Sequence, residues 1–315
     1  MNYTKKFIEN GYLEKELHWF KENEVLQTIV GSKAYGTHND DSDTDVISII
    51  MPKPEMINPV KFGMILGFDN IPNWEHSERK GNKKVSIDNE DIEIEWISLI
   101  KFFHNVAIKG SPNLCEVLFT RRNLVLNAND IGWMLRDNRK LFLSVRLYHN
   151  FRGYAISQLH RIKRGFVSGK SDNPKRQYMM EKYGYDLKMF SHTIRLLNQI
   201  KQILTEGDID LMFGREEVKA IKYGEIFYPF EEAEKLVLKR MEELETLSLK
   251  TGLSLQPKVE PLHNLLQNCI EQFFGSEEKM NKRETEYVSV KDLMERLDKM
   301  EKAISSIPFT IRNRF

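Results

Sequence analysis

Hydrophobic residues in the first third of the chain occur in short runs and in alternation, which is the pattern of β-strands. The run Val25–Val30 predicts a buried strand that stops at Gly31, and Asp45–Met51 predicts a second strand. A third strand is predicted within Val85–Trp96, where residues 91–96 alternate acidic and apolar side chains with a period of two. This part of the chain is therefore expected to form a sheet.

Apolar residues at intervals of three and four, the spacing of amphipathic helices, dominate after residue 98. The predicted helices are 98–109, 113–119, 129–137, 141–165, 176–206, 215–223, 229–252, 262–274 and 288–305, with an earlier one at 11–24. Strands followed by helices predict an α+β fold with an all-α C-terminal part. We expect a catalytic domain over residues 1–130 and a helical domain over residues 131–315.

Charge and cysteine content exclude several classes of protein. Lys and Arg number 47 against 46 Asp and Glu, so the net charge of +1 excludes a strongly basic nucleic-acid coat but not a local basic groove. Two cysteines, Cys115 and Cys269, exclude a disulfide scaffold and a four-cysteine zinc site. No apolar run approaches the roughly 18 residues of a membrane span, so we expect a soluble, cytoplasmic protein without membrane association.

Candidate chemistry is concentrated in the segment that joins the first two predicted strands. Gly31 allows the backbone to approach a phosphate closely, and Ser32 adds a hydroxyl. Asp43 and Asp45 lie two residues apart on a strand, which places both carboxylates on one face. Carboxylates in this arrangement suit the hard cation Mg²⁺, and a pair of such ions stabilises the attacking and leaving oxygens of an in-line displacement.

A third carboxylate is expected from the next strand. Asp91, Glu93 and Glu95 alternate with apolar residues and share one face, where a cation would relieve their repulsion. Glu93 is the favoured ligand, with Asp91 and Glu95 as alternatives. The competing interpretations are a hairpin with a solvated tip and a solvated sheet face. A Walker A loop is rejected because Thr37-His38 stands where Lys-Ser/Thr is required.

Gly31-Ser32 and the later Ser42-Asp43-x-Asp45 together resemble the nucleotidyltransferase core of the DNA polymerase beta superfamily, in particular its YcgL/RlaP-like group, the RNA repair pathway DNA polymerase beta family. Glu93 departs from the Asp that is usual at that position. Similar segments in the helical half are Ile100-Lys101-Phe102-Phe103, Lys109-Gly110-Ser111-Pro112-Asn113, Glu116-Val117-Leu118-Phe119, Phe151-x-Gly153-Tyr154-Ala155 and Asp186-x-Lys188-x-x-x-His192-x-x-Arg195-Leu196-Leu197.

The resemblance implies a short mixed sheet with a helical domain that closes over a nucleotide. It implies that Asp43, Asp45 and Glu93 hold Mg²⁺ or Mn²⁺, and that Gly31 and Ser32 contact the β- and γ-phosphates of a nucleoside triphosphate such as ATP. An acceptor hydroxyl would attack the α-phosphate and release pyrophosphate. A broken or tRNA-like RNA 3′ end is the favoured acceptor, ahead of a protein or a small molecule. The alternative function is a non-catalytic, antitoxin-like module that binds a nucleotide or RNA.

Further nucleotide contacts are expected from the helical half and from the loop. Lys188, His192 and Arg195 form one stripe of a helix and could face phosphate oxygens or solvent. Tyr35 could stack on a base or pack beneath the loop, and Ser42 belongs to the candidate nucleotide-binding set. A second stripe contains Arg146, His149 and Arg152, followed by Arg161, Lys163 and Arg164; it favours ordinary surface charge over an RNA groove.

Overall fold

The computed structural model describes residues 2–57, 83–87, 90–171 and 173–275. Within these residues five strands form one mixed sheet in the order β3-β4-β2-β1-β5. The strands are β1 Glu24–Ile29, β2 Thr44–Ile50, β3 Lys83–Ile87, β4 Glu90–Ser98 and β5 Val125–Ala128. Strand β2 pairs in parallel with β4, and the other neighbouring pairs are antiparallel. The α+β fold predicted from the sequence is confirmed.

Helices surround the sheet and make up the rest of the described chain. In order, α1 to α13 are Tyr3–Glu9, Phe20–Asn23, Gly31–Tyr35, Pro54–Ile57, Leu99–Phe103, Pro112–Cys115, Asp130–Asp137, Val145–Ser168, Gln177–Tyr183, Leu187–Glu206, Arg215–Tyr223, Phe230–Ser248 and Val259–Phe274. A π-helical turn, His104–Ile108, follows α5, and a 3-10 helix, Glu116–Phe119, follows α6. None of the described helices is long and apolar enough to cross a membrane.

Several predicted elements have different bounds in the structure. The predicted helix 11–24 is wrong: only a 3-10 turn at Lys15–Leu17 and the short α2 occur there, because the backbone is extended at Glu14 and β1 begins at Glu24. The third strand is two antiparallel strands, β3 and β4. Strand β5 was not predicted, since its four residues show no alternation. The predicted helix 288–305 lies outside the described residues.

The predicted helix 176–206 is interrupted at Gly184, whose φ of +82° ends α9 before α10 begins. Helix α10 begins at a cap in which the Asp186 carboxylate accepts a hydrogen bond from the Met189 backbone N–H at 3.0 Å. It packs against α8, α11 and α12. This central helix carries Lys188, His192 and Arg195, so its position decides where those side chains lie.

The described residues up to Phe273 form one compact unit. The core around the sheet is closed on one side by α1 and α2, where the rings of Phe7 and Phe20 lie 5.5 Å and 6.0 Å from Trp96 of β4. The division into domains at residues 130 and 131 stays a prediction.

Candidate active site

Gly31 is the first residue of α3, where the chain turns after β1, and its backbone lies against Asp45. Its φ is +64°, a conformation that favours glycine. A Cβ at this position would lie 2.0 Å from Asp45 Oδ2, far inside van der Waals contact. The glycine therefore leaves the space that the Asp45 carboxylate occupies.

Three carboxylates converge beside this turn. Asp43 immediately precedes β2, Asp45 lies within it, and Glu93 is the parallel partner of Asp45 on β4. One oxygen from each side chain lies within 4.8 Å of the others, so the group could hold a metal ion. The structure thus groups Glu93 with the aspartates. Of the alternatives, Glu95 lines a cavity together with these three carboxylates, whereas the Asp91 side chain is 57% exposed and lies 3.7 Å from Lys84 Nζ.

The electrostatics of the three carboxylates favour a cation. Burial, and then the negative charges of Asp43 and Glu93, raise the pKa of Asp45 to about 6. In contrast, the hydrogen bond from Lys84 Nζ to Asp43 Oδ2, 2.8 Å long, lowers the pKa of Asp43. A cluster of oxygen ligands with excess negative charge fits a hard divalent ion such as Mg²⁺ or Mn²⁺.

The candidate site residues predicted from the sequence line one cavity of about 370 Å³, with a single exception. The cavity includes the three carboxylates together with Gly31, Ser32, Tyr35, Lys188, His192 and Arg195. Ser42 lines a neighbouring cavity instead, and its hydroxyl donates to Asn39 Oδ1 at 2.6 Å. The fold therefore brings the loop and the α10 stripe together, while their roles as nucleotide contacts stay predictions.

Tyr35 and Arg195 are held by protein partners at the back of this cavity. The Tyr35 hydroxyl donates to the Glu116 carboxylate, and buried Arg195 donates to the same carboxylate and to Gln199 Oε1 at 3.1 Å. The Arg195 guanidinium also lies 3.8 Å from the centroid of the Tyr35 ring. The Tyr35 side chain is therefore packed against protein groups, and Arg195 is paired with the Glu116 carboxylate. Sequence reasoning missed Glu116 as their common partner because it lies 79 residues from Arg195.

His192 and Lys188 differ in exposure along the same helix. Burial, and then the positive charge of Arg195, lower the pKa of His192 well below its usual range, so the ring is neutral near pH 7. Lys188 is exposed at the mouth of the cavity. Of the two, Lys188 is the side chain that carries a charge able to contact phosphate.

Two lysines near the carboxylates were not predicted. Lys222 of α11 donates to the Thr37 carbonyl at 2.7 Å, and burial followed by the charge of Lys188 lowers its pKa to about 8. Lys84 of β3 pairs in the sheet with Glu93 and bonds to Asp43. Neither lysine lies in a motif. Only the pairing of β3 with β4 and the packing of α11 bring them to the site.

The second basic stripe, on α8, makes ion pairs with α12. Arg152 lies 3.5 Å from Glu245, and Lys163 donates to Glu234 at 2.8 Å. These contacts are typical of a solvated helix surface, in agreement with the favoured interpretation of that stripe.

Comparison with known proteins identifies a curated relative and a family. The relative is a bacteriophage T4 protein named as an uncharacterized 38.9 kDa protein in the nrdC-mobD intergenic region, 29% identical over 137 residues. The aligned part spans 42% of this chain and 37% of the phage protein, so well under two thirds of that relative is covered. The model of the RlaP family, described as the RNA repair pathway DNA polymerase beta family, matches residues 13–296. The resemblance noted in the sequence is thereby confirmed, and the chain belongs to this family of DNA polymerase beta-like proteins.

Proposed function

We propose that this protein is a metal-dependent nucleotidyltransferase that moves a nucleoside monophosphate from a nucleoside triphosphate to an acceptor hydroxyl. The observation that carries the proposal is the convergence of Asp43, Asp45 and Glu93 within 4.8 Å, directly beside the Gly31 turn. Membership in a polymerase beta-like family supports the same reaction class. An RNA 3′ end is the favoured acceptor because of the family's description, with a protein or small-molecule hydroxyl as alternatives.

Different residues of the cavity would bind the metal ions, contact the phosphates and stabilise negative charge. Asp43, Asp45 and Glu93 would hold Mg²⁺ or Mn²⁺, which when bound supplies positive charge next to the attacking and leaving oxygens. Gly31 and Ser32 contact the β- and γ-phosphates. Lys188 and Lys222, which line the same cavity, add positive charge where negative charge develops on the departing pyrophosphate.

The reaction balances as a single displacement. The acceptor oxygen attacks the α-phosphorus, and the bond between that phosphorus and the oxygen bridging to the β-phosphorus breaks. Pyrophosphate leaves with the electron pair of that bond, and the hydroxyl proton passes to a carboxylate acting as general base. Positioning and electrostatic stabilisation carry most of such a reaction, which is the role that the cavity residues would perform.

Transfer of an α-labelled phosphate tests the proposal. The protein is incubated with each α-labelled nucleoside triphosphate, Mg²⁺ and single-stranded RNA ending in a 3′ hydroxyl, and label in the RNA is measured. We expect transfer by the native protein and by Asp40→Asn, an exposed neighbouring carboxylate used as control. Asp43→Asn and Asp45→Asn should each lower the rate by at least about a hundredfold. Transfer that persists unchanged in both variants contradicts the proposal, and nucleotide or RNA binding without turnover supports the non-catalytic alternative.

A further inference from the structure

A second cavity, of about 440 Å³, adjoins the first. The two share Ser32, Asp43, Lys188 and Lys222 in their linings. Of the three candidate metal ligands, only Asp43 lines the second cavity. A molecule in this cavity would therefore reach the reaction centre at one edge while most of it lay outside the group of carboxylates.

Three lysines of the second cavity make no ion pair with a carboxylate of the described chain, although Asp41 and Asp43 also line it. Among the described residues, Lys182, Lys188 and Lys222 make no ion pair with a carboxylate within 4.0 Å, whereas Arg176 in the same cavity lies 2.7 Å from Asp186. The Lys222 ammonium is partly buried and donates to a neutral carbonyl, that of Thr37, at 2.7 Å. A desolvated charge without a paired carboxylate is unfavourable, so an anion would stabilise Lys222. Lys182 and Lys188 are exposed and add positive charge beside it.

Tyrosines supply flat apolar surface beside these lysines. Tyr178, Tyr183 and Tyr223 all line the cavity. Tyr183 is packed against Phe227 with ring centroids 5.6 Å apart, and the Tyr223 hydroxyl donates to the Thr37 carbonyl at 3.1 Å. Tyr178, in contrast, is 58% exposed. A large exposed ring next to unpaired ammonium groups is suited to stacking on a base whose phosphate those groups contact.

We propose that the second cavity binds a nucleotide unit, with Tyr178 stacked on its base and Lys182, Lys188 and Lys222 around its phosphates. This inference rests on the proposed function, which gives a nucleotide site here its role. Binding of a nucleotide can nevertheless be measured without nucleotidyl transfer. A nucleotide unit could come from the donor triphosphate or from the 3′ end of an RNA acceptor. Both present the same combination of aromatic base and phosphate.

Equilibrium binding to the full chain in Mg²⁺ tests the site without turnover. One probe is a fluorescent α,β-methylene analogue of ATP, which cannot release pyrophosphate, and the other is a fluorescein-labelled single-stranded oligoribonucleotide. Tyr178→Ala should weaken binding of at least one probe by about tenfold, since stacking on an aromatic ring is worth about 1–3 kcal/mol per base. Tyr178→Phe keeps the ring and should bind as the native protein does.

Lys182→Ala tests the phosphate contacts, with Lys201→Ala as a control at an exposed lysine of α10 that lies outside both cavities. For the RNA probe, Lys182→Ala should reduce the slope of log affinity against log salt by about 0.7, and Lys201→Ala should leave it unchanged.

The probe whose affinity falls in the variants identifies the source of the nucleotide, and the inference requires that at least one affinity falls. Weakened binding of the ATP analogue alone identifies the donor site, and weakened binding of the RNA alone identifies the acceptor site; either result supports the inference. If Tyr178→Ala and Lys182→Ala bind both probes as the native protein does, the inference is overturned. If the native protein then still transfers the nucleotide, the proposed function stands although the inference does not. If the native protein binds the probes through Tyr178 and Lys182 but shows no transfer, the proposed function is overturned and the inference stands.

Discussion

At the residue scale, Gly31 links backbone geometry to the candidate metal ligands. The space that a Cβ would fill is taken by the Asp45 carboxylate, and the φ of +64° disfavours any other residue. Glycine is therefore required here by a contact as well as by a turn. A sequence reveals that a glycine is present, but only the structure shows which side chain lies against it.

Gly31→Ala should displace the Asp45 carboxylate and abolish divalent-cation binding, measured by isothermal titration calorimetry with Mn²⁺. The left-handed conformation alone should lower the free energy of unfolding by about 1–2 kcal/mol. Gly11→Ala is the matched control, because Gly11 has a φ of +70° but nothing within 4 Å of the position that an alanine Cβ would take. Gly11→Ala should lower the free energy of unfolding by a similar amount and leave Mn²⁺ binding unchanged. Equal Mn²⁺ affinity in the two variants would contradict the proposed contact.

Asp45 should destabilise the metal-free fold above its own pKa. Its pKa is about 6 in the folded protein and lower in the unfolded chain, so the folded state binds more protons between about pH 4 and 6 and stability falls as the pH rises through that window. At pH 7.5 in EDTA, Asp45→Asn should raise the free energy of unfolding by about 1–2 kcal/mol, allowing for partial solvent screening.

Urea denaturation at pH 4 and pH 7.5 measures this difference for Asp45→Asn. The increase in the free energy of unfolding should nearly vanish at pH 4, because Asp45 of the native protein is then protonated in the folded state. A variant that is less stable than the native protein at pH 7.5 would show that Asp45 does not carry the repulsion assigned to it.

At the scale of elements, strand β3 brings a lysine to the candidate metal site. Lys84 is paired with Glu93 in the antiparallel ladder, and its ammonium bonds to Asp43. A cation that binds Asp43 competes with this ammonium for the negative charge of the carboxylate. Lys84→Met should therefore strengthen Mn²⁺ binding by about two- to fivefold, given that an exposed ion pair contributes up to about 1 kcal/mol.

Lys21→Met serves as the control for Lys84→Met, since Lys21 is 48% exposed, comparable with 49% for Lys84, and lies 4.0 Å from Glu22. Its Mn²⁺ affinity should equal that of the native protein. Weaker Mn²⁺ binding by Lys84→Met would mean that the lysine supports the site rather than competing for it.

A buried ion pair joins helix α10 to the Glu116–Phe119 turn. Glu116 and Arg195 are 1% and 4% exposed, and Tyr35 donates to the same carboxylate. Glu116→Gln leaves the arginine buried without a counter-charge and should lower the free energy of unfolding by about 3–5 kcal/mol. Tyr35→Phe removes one hydrogen bond to this charged carboxylate and should cost less, about 1.5–3 kcal/mol. If urea denaturation shows the same decrease in the free energy of unfolding for both variants, the ion pair does not contribute more than the tyrosine hydrogen bond.

The strands that carry the candidate metal ligands could be predicted because alternation and apolar runs are local signals. Val25–Val30 and Asp45–Met51 each agree with a strand to within a residue or two at either end. The break at Gly184 and the four-residue β5 were missed, since one glycine within a helical pattern and a strand without alternation give weak local signals. Pairing with β1 defines β5, and the positive φ of Gly184 defines the helix break.

At the scale of the whole molecule, the candidate site combines segments that are far apart in the sequence. The α+β class followed from the order of elements. Side-chain alternation made Asp43, Asp45 and Glu93 candidates and left Asp91 and Glu95 as alternatives to Glu93. Lys222 could not be predicted, because it lies 185 residues from Thr37, to which it donates. The parallel pairing of β2 with β4, which sets Asp45 opposite Glu93, is likewise a property of the folded sheet.

In the proposed reaction, Asp43, Asp45 and Glu93 hold divalent ions against a nucleoside triphosphate. A crystal structure with Mn²⁺ and an α,β-methylene nucleoside triphosphate tests it most directly, because anomalous scattering locates Mn²⁺ independently of the surrounding density. We predict Mn²⁺ bound by these three carboxylates, with the β- and γ-phosphates at Gly31 and Ser32. Mn²⁺ at another site, or a triphosphate bound away from the Gly31 turn, would contradict the account.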